Sequence, residues 1–318
     1  MREPTLPASL GAHFSVAAAI RAGVPASRLR RTDLHRPFHG VRARPDPGDD
    51  EFDRFGRPLG PAERDHLRLA REYAEWMADG HFFSHLTAAV IWGLPVPRSL
   101  VERPEVDVAV FPPLRLPRSR GVRGHETTPR LTTIRRDART GLLVASPAST
   151  WAMLGATFRD PYDLVAAGDA AIRDWRVPSP LATLAELEAA VRSGRRVGIP
   201  ALRAALPQLR TRSASRPETV ARLTLVSALL PEPELNVDVL EAGVRLACVD
   251  LAYPDLKIGI EYEGEHHLLD PEQWAHDILR YERLAAAGWQ VIRVTKAELF
   301  AHPSTFIARV RAAIAQRS

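Results

Sequence analysis

Three acidic side chains toward the C-terminal end have the spacing most suggestive of chemistry: Asp250, Glu261 and Glu263. They lie in Val249-Asp250-Leu251 and Ile260-Glu261-Tyr262-Glu263-Gly264, on either side of a Pro254-Asp255 turn. Strand alternation puts Ile258, Ile260 and Tyr262 on one face and Glu261 and Glu263 on the other. A hairpin about the turn sets Asp250 opposite residues 259–261, so Asp250 and Glu261 converge on one sheet edge. Carboxylates that close repel unless a proton or a cation lies between them. Hard oxygen donors suit Mg²⁺ or Mn²⁺, which would polarise a phosphodiester and lower the pKa of a bound water for in-line attack. Asp250 and Glu261 are the expected ligands, with the backbone carbonyl of Tyr262 as a third. Glu263 would orient the water or bind a second ion. Glu218, on the preceding helix, reaches in as an outer ligand or else merely complements that helix's dipole. The alternation is also that of an amphipathic strand with a solvated face.

Other polar groups flank this segment. His266 or His267 could serve as acid or base, with an unperturbed pKa near 6.5. The two could equally be a loop pair, since adjacent residues of a regular strand do not face one site. Arg280 could neutralise phosphate, or with Glu282 be an ordinary helix-surface charge.

The elements that must position these residues are legible. Glu218 to Leu230 is helical, with Val220, Leu223, Val226 and Leu230 at helical spacing. Residues 236–241 and 244–251 read as strands around Ala242-Gly243, a hairpin signal. Residues 256–263 are a third strand, 272–287 a helix stopped by Gly288, 289–295 a fourth strand and 303–315 a last helix. The order α-β-β-β-α-β-α describes one mixed sheet with helices on it. The whole chain is of α/β (α+β) class.

With those residues and that order, residues 216–315 resemble the PD-(D/E)XK nuclease superfamily, a restriction-endonuclease-like fold. They are most similar to its very-short-patch-repair-like (Vsr-like) endonuclease domains. Val249-Asp250, Ile260-Glu261-Tyr262-Glu263-Gly264, His266-His267, Arg280, Glu282 and Gly288-Trp289-Gln-Val-Ile-Arg-Val carry the likeness. It implies a Mg²⁺- or Mn²⁺-dependent endonuclease acting on DNA. The superfamily's usual lysine, two residues after the strand glutamate, is here Glu263. The Vsr-like subset commonly has an acidic residue there, yet no cation fixed at that point can stabilise the attacking hydroxide. Lys257 sits too near the turn to be assigned.

Upstream, Ser15 caps a helix beginning at Val16 and Gly23 ends it. Pro25 and Ser27 begin a second short helix bearing Arg28, Arg30 and Arg31, and Phe38 to Ala43 looks like a strand or wing. Residues 1–45 thus resemble a small winged helix-turn-helix, similar to the N-terminal module of AbiEi-type antitoxins. The resemblance implies arginine contacts to phosphate that position DNA without reading its sequence. A helical packing module with a solvated arginine face is the alternative. The antitoxin-like start, with Glu263 in place of the usual lysine, leaves open a non-catalytic DNA-binding regulator that keeps a nuclease-like fold.

Residues 62–205 read as an α+β middle domain in which no chemistry is evident. Ser84 caps a helix closed by Gly93 and Pro95, 106–111 is a strand, Ser146-Pro147 starts a helix, and 181–191 is another. His81 and His85 have i, i+4 spacing without the glutamate of a metalloprotease motif. Trp76, Trp92, Trp151 and Trp175 read as helical core residues.

Composition sets the outer bounds. The 318 residues suffice for two or three domains, and 45% hydrophobic with 25% charged residues excludes global disorder. One cysteine, Cys248, excludes a disulfide framework and a cysteine-rich zinc site. No apolar run approaches a membrane span, and the N-terminus lacks an apolar signal core, so a cytoplasmic location is expected. Residues 213–318 carry 11 basic and 15 acidic side chains, net −4, which leaves +9 on residues 1–212. That asymmetry fits a polyanion-binding region joined to a metal-binding one. Oligomeric state is not constrained.

Overall fold

A computed structural model describes residues 6–44, 51–241, 243–264 and 271–318, without the side chains of 271–277. The fold is α+β: among the described residues, twelve helices and three sheets. The chain forms two compact units, residues 1–159 with 181–206, and 160–180 with 207–318. No described helix is long and apolar enough to cross a membrane.

The first unit opens with β1 (His13–Ser15) and α1 (Val16–Arg21). Ser15 caps α1 by accepting the Ala18 N–H at 3.1 Å, and Gly23 turns the chain with φ +83°. β2 (Val41–Ala43) pairs antiparallel with β1. The expected second helix is a single 3₁₀ turn, Arg28–Arg30. Leu29, buried on that turn, packs into a small core with Phe14, Ala19 and Leu34.

Beyond it come α2 (Pro61–Ala74), β3 (Phe82–Phe83), α3 (His85–Ile91), α4 (Arg98–Val101), β4 (Val106–Val110), β5 (Val122–Glu126), β6 (Ile134–Arg136), β7 (Leu143–Ala145) and α5 (Pro147–Leu154). The strands form one mixed sheet in the order β5-β4-β3-β7-β6. Ser146 caps α5 as expected. Ser84 occupies the N-cap of α3, but its side chain makes no capping bond.

α6 (Pro161–Ile172) leaves this unit, whereas α7 (Leu184–Arg192) and α8 (Ile199–Ala205) return to it. α6 packs in the second unit against α9 (Arg216–Ser227). Polar contacts with α9 explain the placement. Asp163 accepts Arg216 Nε at 2.6 Å, and buried Asp169 accepts Thr219 Oγ1 at 2.8 Å and Arg222 Nη2 at 3.2 Å. Arg222 is itself almost wholly buried and also donates to Glu232.

The second unit continues with β8 (Glu234–Glu241), β9 (Val244–Tyr253), β10 (Ile258–Glu263), α10 (Pro271–Ala286), β11 (Gln290–Thr295), α11 (Lys296–Phe300) and α12 (Pro303–Arg317). The sheet order is β11-β10-β9-β8, parallel between β10 and β11 and antiparallel elsewhere. One face, with Leu251, Ile258, Ile260 and Val294, packs against Val220 and Leu225 of α9 and Phe306 and Val310 of α12. The other packs Val249 and Ala252 against Leu284 of α10. Strand β9 changes face at Asp250: Val249 looks to one layer and Leu251 to the other. Opposite it, Asn236 breaks the β8 ladder with φ +50°. That dislocation gives the site its shape.

Candidate active site

The register places Leu251 opposite Ile260 and leaves the ladder open one step on, at Asp250 and Glu261. Asp250 fills the gap with its side chain: Oδ2 accepts the Tyr262 backbone N–H at 3.0 Å. The Tyr262 contact thus runs through its N–H, with Asp250 as the acceptor. Burial, with Glu218 and then Glu261 adding negative charge nearby, pushes the Asp250 carboxyl up to about 8.

Glu218 sits in the first turn of α9, buried. Its oxygens accept the Ala214 N–H at 2.8 Å, the Ser215 hydroxyl at 2.8 Å and Asn236 Nδ2 at 2.7 Å. Burial raises its proton affinity nonetheless. Glu218 thus complements a helix N-terminus, and it belongs to the same electrostatic cluster as Asp250.

Glu261, 4% exposed, projects toward α10. Arg280 grips it as a fork, Nη1 to Oε1 at 2.8 Å and Nη2 to Oε2 at 2.6 Å, while the Tyr281 hydroxyl donates to Oε2 at 2.6 Å. Burial still pushes the Glu261 carboxyl above the usual range. Glu263 accepts Arg293 Nε at 2.5 Å and lies 3.1 Å from the Tyr281 hydroxyl. Tyr281 therefore bridges the two glutamates.

Three carboxylates from three elements, buried Glu218 and Glu261 and half-buried Asp250, are thus brought together, with Glu263 beside them. The oxygen-donor chemistry suits a hard cation; the arrangement does not. Both Glu261 oxygens are taken by Arg280 and Tyr281, and among the described residues no three acidic, histidine or cysteine side chains form a metal-holding group. The charge facing Glu261 is a guanidinium. Arg280 is accordingly a partner of Glu261 here rather than a bare surface charge. Tyr281 and Arg293 were not among the expected residues. Arg293 stands opposite Glu261 in the parallel register of β10 and β11, a pairing that local sequence spacing does not fix. His266 and His267 lie outside the described residues.

In the first unit, Arg28 is bound by Asp33 through two bonds, at 3.0 and 2.7 Å. Arg30 and Arg31 are exposed. The same unit holds a polar cluster where sequence suggested none. His125 Nε2 is 2.7 Å from Asp107 Oδ1 on the neighbouring strand. The His85 ring stacks on His125 with centroids 3.8 Å apart, and His85 Nδ1 lies 3.0 Å from Ser84 Oγ. Burial, reinforced by His125, holds His85 down to about 4. Stacked rings point their lone pairs along parallel planes, so they cannot converge on one ion.

The chain is 32% identical over 171 residues to the uncharacterised proteins Rv2248 and MT2308 of two Mycobacterium tuberculosis strains, H37Rv and CDC 1551. The match covers 54% of this chain and 61% of each relative, so it spans less than two thirds of their length. No family model and no solved structure matches.

Proposed function

We propose that the second unit is a PD-(D/E)XK-like, Vsr-like endonuclease centre hydrolysing phosphodiester bonds in DNA. The observation that carries this reading is half-buried Asp250 set between the buried carboxylates Glu218 and Glu261, within their mutual repulsion. Clustering buried carboxylates weakens a fold, and strongly perturbed ionisable groups concentrate at functional sites. Asp250, with its carboxyl near 8, can hold or surrender a proton at neutral pH, as a general acid or base must. Arg280, 30% exposed at its side chain, faces both Glu261 and solvent, where it can meet a phosphate oxygen. Mg²⁺ or Mn²⁺ is the cofactor the family resemblance implies. Because Glu261 is occupied by Arg280, no step is assigned to an ion.

A second reading is favoured by the closed Arg280–Glu261–Tyr281 contacts and by Glu263 in place of a lysine. It is a non-catalytic DNA-binding regulator, resembling AbiEi-type antitoxins, on a nuclease-like scaffold.

Incubating the protein with supercoiled plasmid, with EDTA, Mg²⁺ or Mn²⁺, separates the two. Nicking that is lost in Glu261→Gln and Asp250→Asn supports the endonuclease. Retarded but intact DNA in every condition supports the regulator.

A further inference from the structure

A cavity of about 860 Å³ opens in the first unit, on the side of the β1–β2 module. Its lining includes Arg36, Arg42, Arg120 and His39, the aromatic rings of Phe38 and Trp76, and, among the described residues, no carboxylate. Trp76, expected in the core, follows the end of α2 and is 44% exposed. Gly40, at φ +78°, brings the β2 loop against it: a Cβ there would lie 3.5 Å from the indole nitrogen. One wall is thus an indole held by a glycine turn and braced edge-to-face by Tyr73.

The cations are poised rather than used up. Arg42 donates through Nε and Nη1 to the Leu29 and Val41 carbonyls at 2.6 and 2.8 Å, which fixes the guanidinium while Nη2 has no partner among the described residues. Arg120 and His39 have none either among the described residues. Arg36, which donates to the Arg30 carbonyl, adds like charge beside Arg42, and burial and this neighbour both lower the Arg42 pKa. Fixed like charges around an acid-free recess are relieved by an anion. An indole among them is a surface on which a planar base stacks.

We propose that this cavity binds single-stranded nucleic acid, one unpaired base stacking on Trp76 with flanking phosphates held by Arg36, Arg42 and Arg120. A duplex offers the same phosphates, but its bases are stacked inside and cannot enter such a recess. An acidic peptide meets the charge and leaves the indole unused. The inference stands apart from the carboxylate site of the second unit and holds whether or not that site cuts.

The test is fluorescence anisotropy of full-length protein with a labelled 15-nucleotide DNA strand, its duplex, and polyglutamate as competitor, in EDTA so that metal-dependent cleavage plays no part. The single strand is expected to bind more tightly than the duplex and to resist polyglutamate. Trp76→Leu is expected to weaken strand binding about 5- to 150-fold, the equivalent of one stacked base. Arg120→Glu should reduce the dependence of log affinity on log salt by about one. Arg120 is exposed and has no described protein partner, so this variant keeps its fold even if Trp76→Leu does not. Equal or tighter duplex binding, displacement of the strand by polyglutamate at matched charge, or unchanged strand binding in Arg120→Glu would overturn the proposal.

Discussion

Arg280 holds Glu261 through both carboxylate oxygens, at 2.8 and 2.6 Å, from a helix to the strand it covers. A planar fork on a carboxylate is the strongest common ion-pair geometry, and here the acid is almost fully buried while the base is one-third exposed. Removing the base leaves a buried negative charge whose remaining described contacts are the Tyr281 hydroxyl and the more distant charge of Arg293. Arg280→Ala is therefore expected to destabilise the second unit by about 2–3 kcal/mol at pH 7, at or below the low end for a broken buried pair because Arg280 is partly solvated. Acidification should shrink the deficit, since a protonated Glu261 needs no cation. Urea melts at pH 7 and pH 4.5 check this; a deficit independent of pH would show that lost packing, not charge, is responsible.

Asp250 gives the opposite sign. Its folded-state pKa, about 8, lies above the ordinary carboxylate value, so its contribution to stability is fully present below about pH 4. That contribution is lost as pH rises toward 8. Asn at this position keeps an oxygen for the Tyr262 N–H and removes the charge facing Glu218 and Glu261. Asp250→Asn should raise stability by about 1–3 kcal/mol at pH 8, have little effect at pH 4, and abolish any DNA cleavage. A variant that loses activity while gaining stability marks a functional residue. Destabilisation at pH 8 in thermal melts would contradict the account.

Much of this scaffold was legible because its signals are local. The alternation of residues 258–263, the hairpin at Gly243 and the caps Ser15 and Ser146 each depend on neighbours a few residues away. Contacts between distant segments were not legible. Arg222 finds Asp169 across 53 positions, and that pair moves α6 out of the middle region. Asp107 and His125 share no sequence pattern until parallel β4 and β5 set them together. Trp76 read as core from its helical context, yet α2 ends at Ala74 and lets the indole out. Asp250, Glu261 and Glu263 were legible as a strand pattern. The guanidinium and phenol that meet Glu261 come from α10, whose facing side follows from packing rather than spacing.

His85 should impose an acid limit on the first unit. Its ring is held against His125, with Asp107, Arg123 and Arg196 also facing it, and its folded pKa falls to about 4 from an ordinary 6.5. The unfolded chain therefore takes up a proton that the folded chain refuses, and stability falls as pH drops from about 6.5 to 4. The loss amounts to about 2–3 kcal/mol. His85 has φ +46°, a left-handed conformation that asparagine tolerates better than most residues. His85→Asn should flatten the acid limb of a stability–pH curve between pH 6.5 and 4. A limb as steep as wild type would place the titration elsewhere.

Asn236 ties the dislocation in β8 to the acidic cluster, because one residue supplies both the φ +50° kink and the 2.7 Å amide bond to Glu218. Its amide also donates to the Arg212 carbonyl at 2.7 Å. Asn236→Ala loses both bonds and puts an alanine in the left-handed region, a loss of about 2–4 kcal/mol. Asn236→Asp keeps the shape and the tolerance for that φ, but sets a third carboxylate against Glu218 and Asp250. The aspartate variant should therefore be as unstable as the alanine variant at pH 8 and approach wild type at pH 4, where the cluster is protonated. Denaturant midpoints of both variants at the two pH values decide the matter. If the alanine variant also recovered in acid, the kink would be dispensable, and Asn236 would act on Glu218 through charge alone.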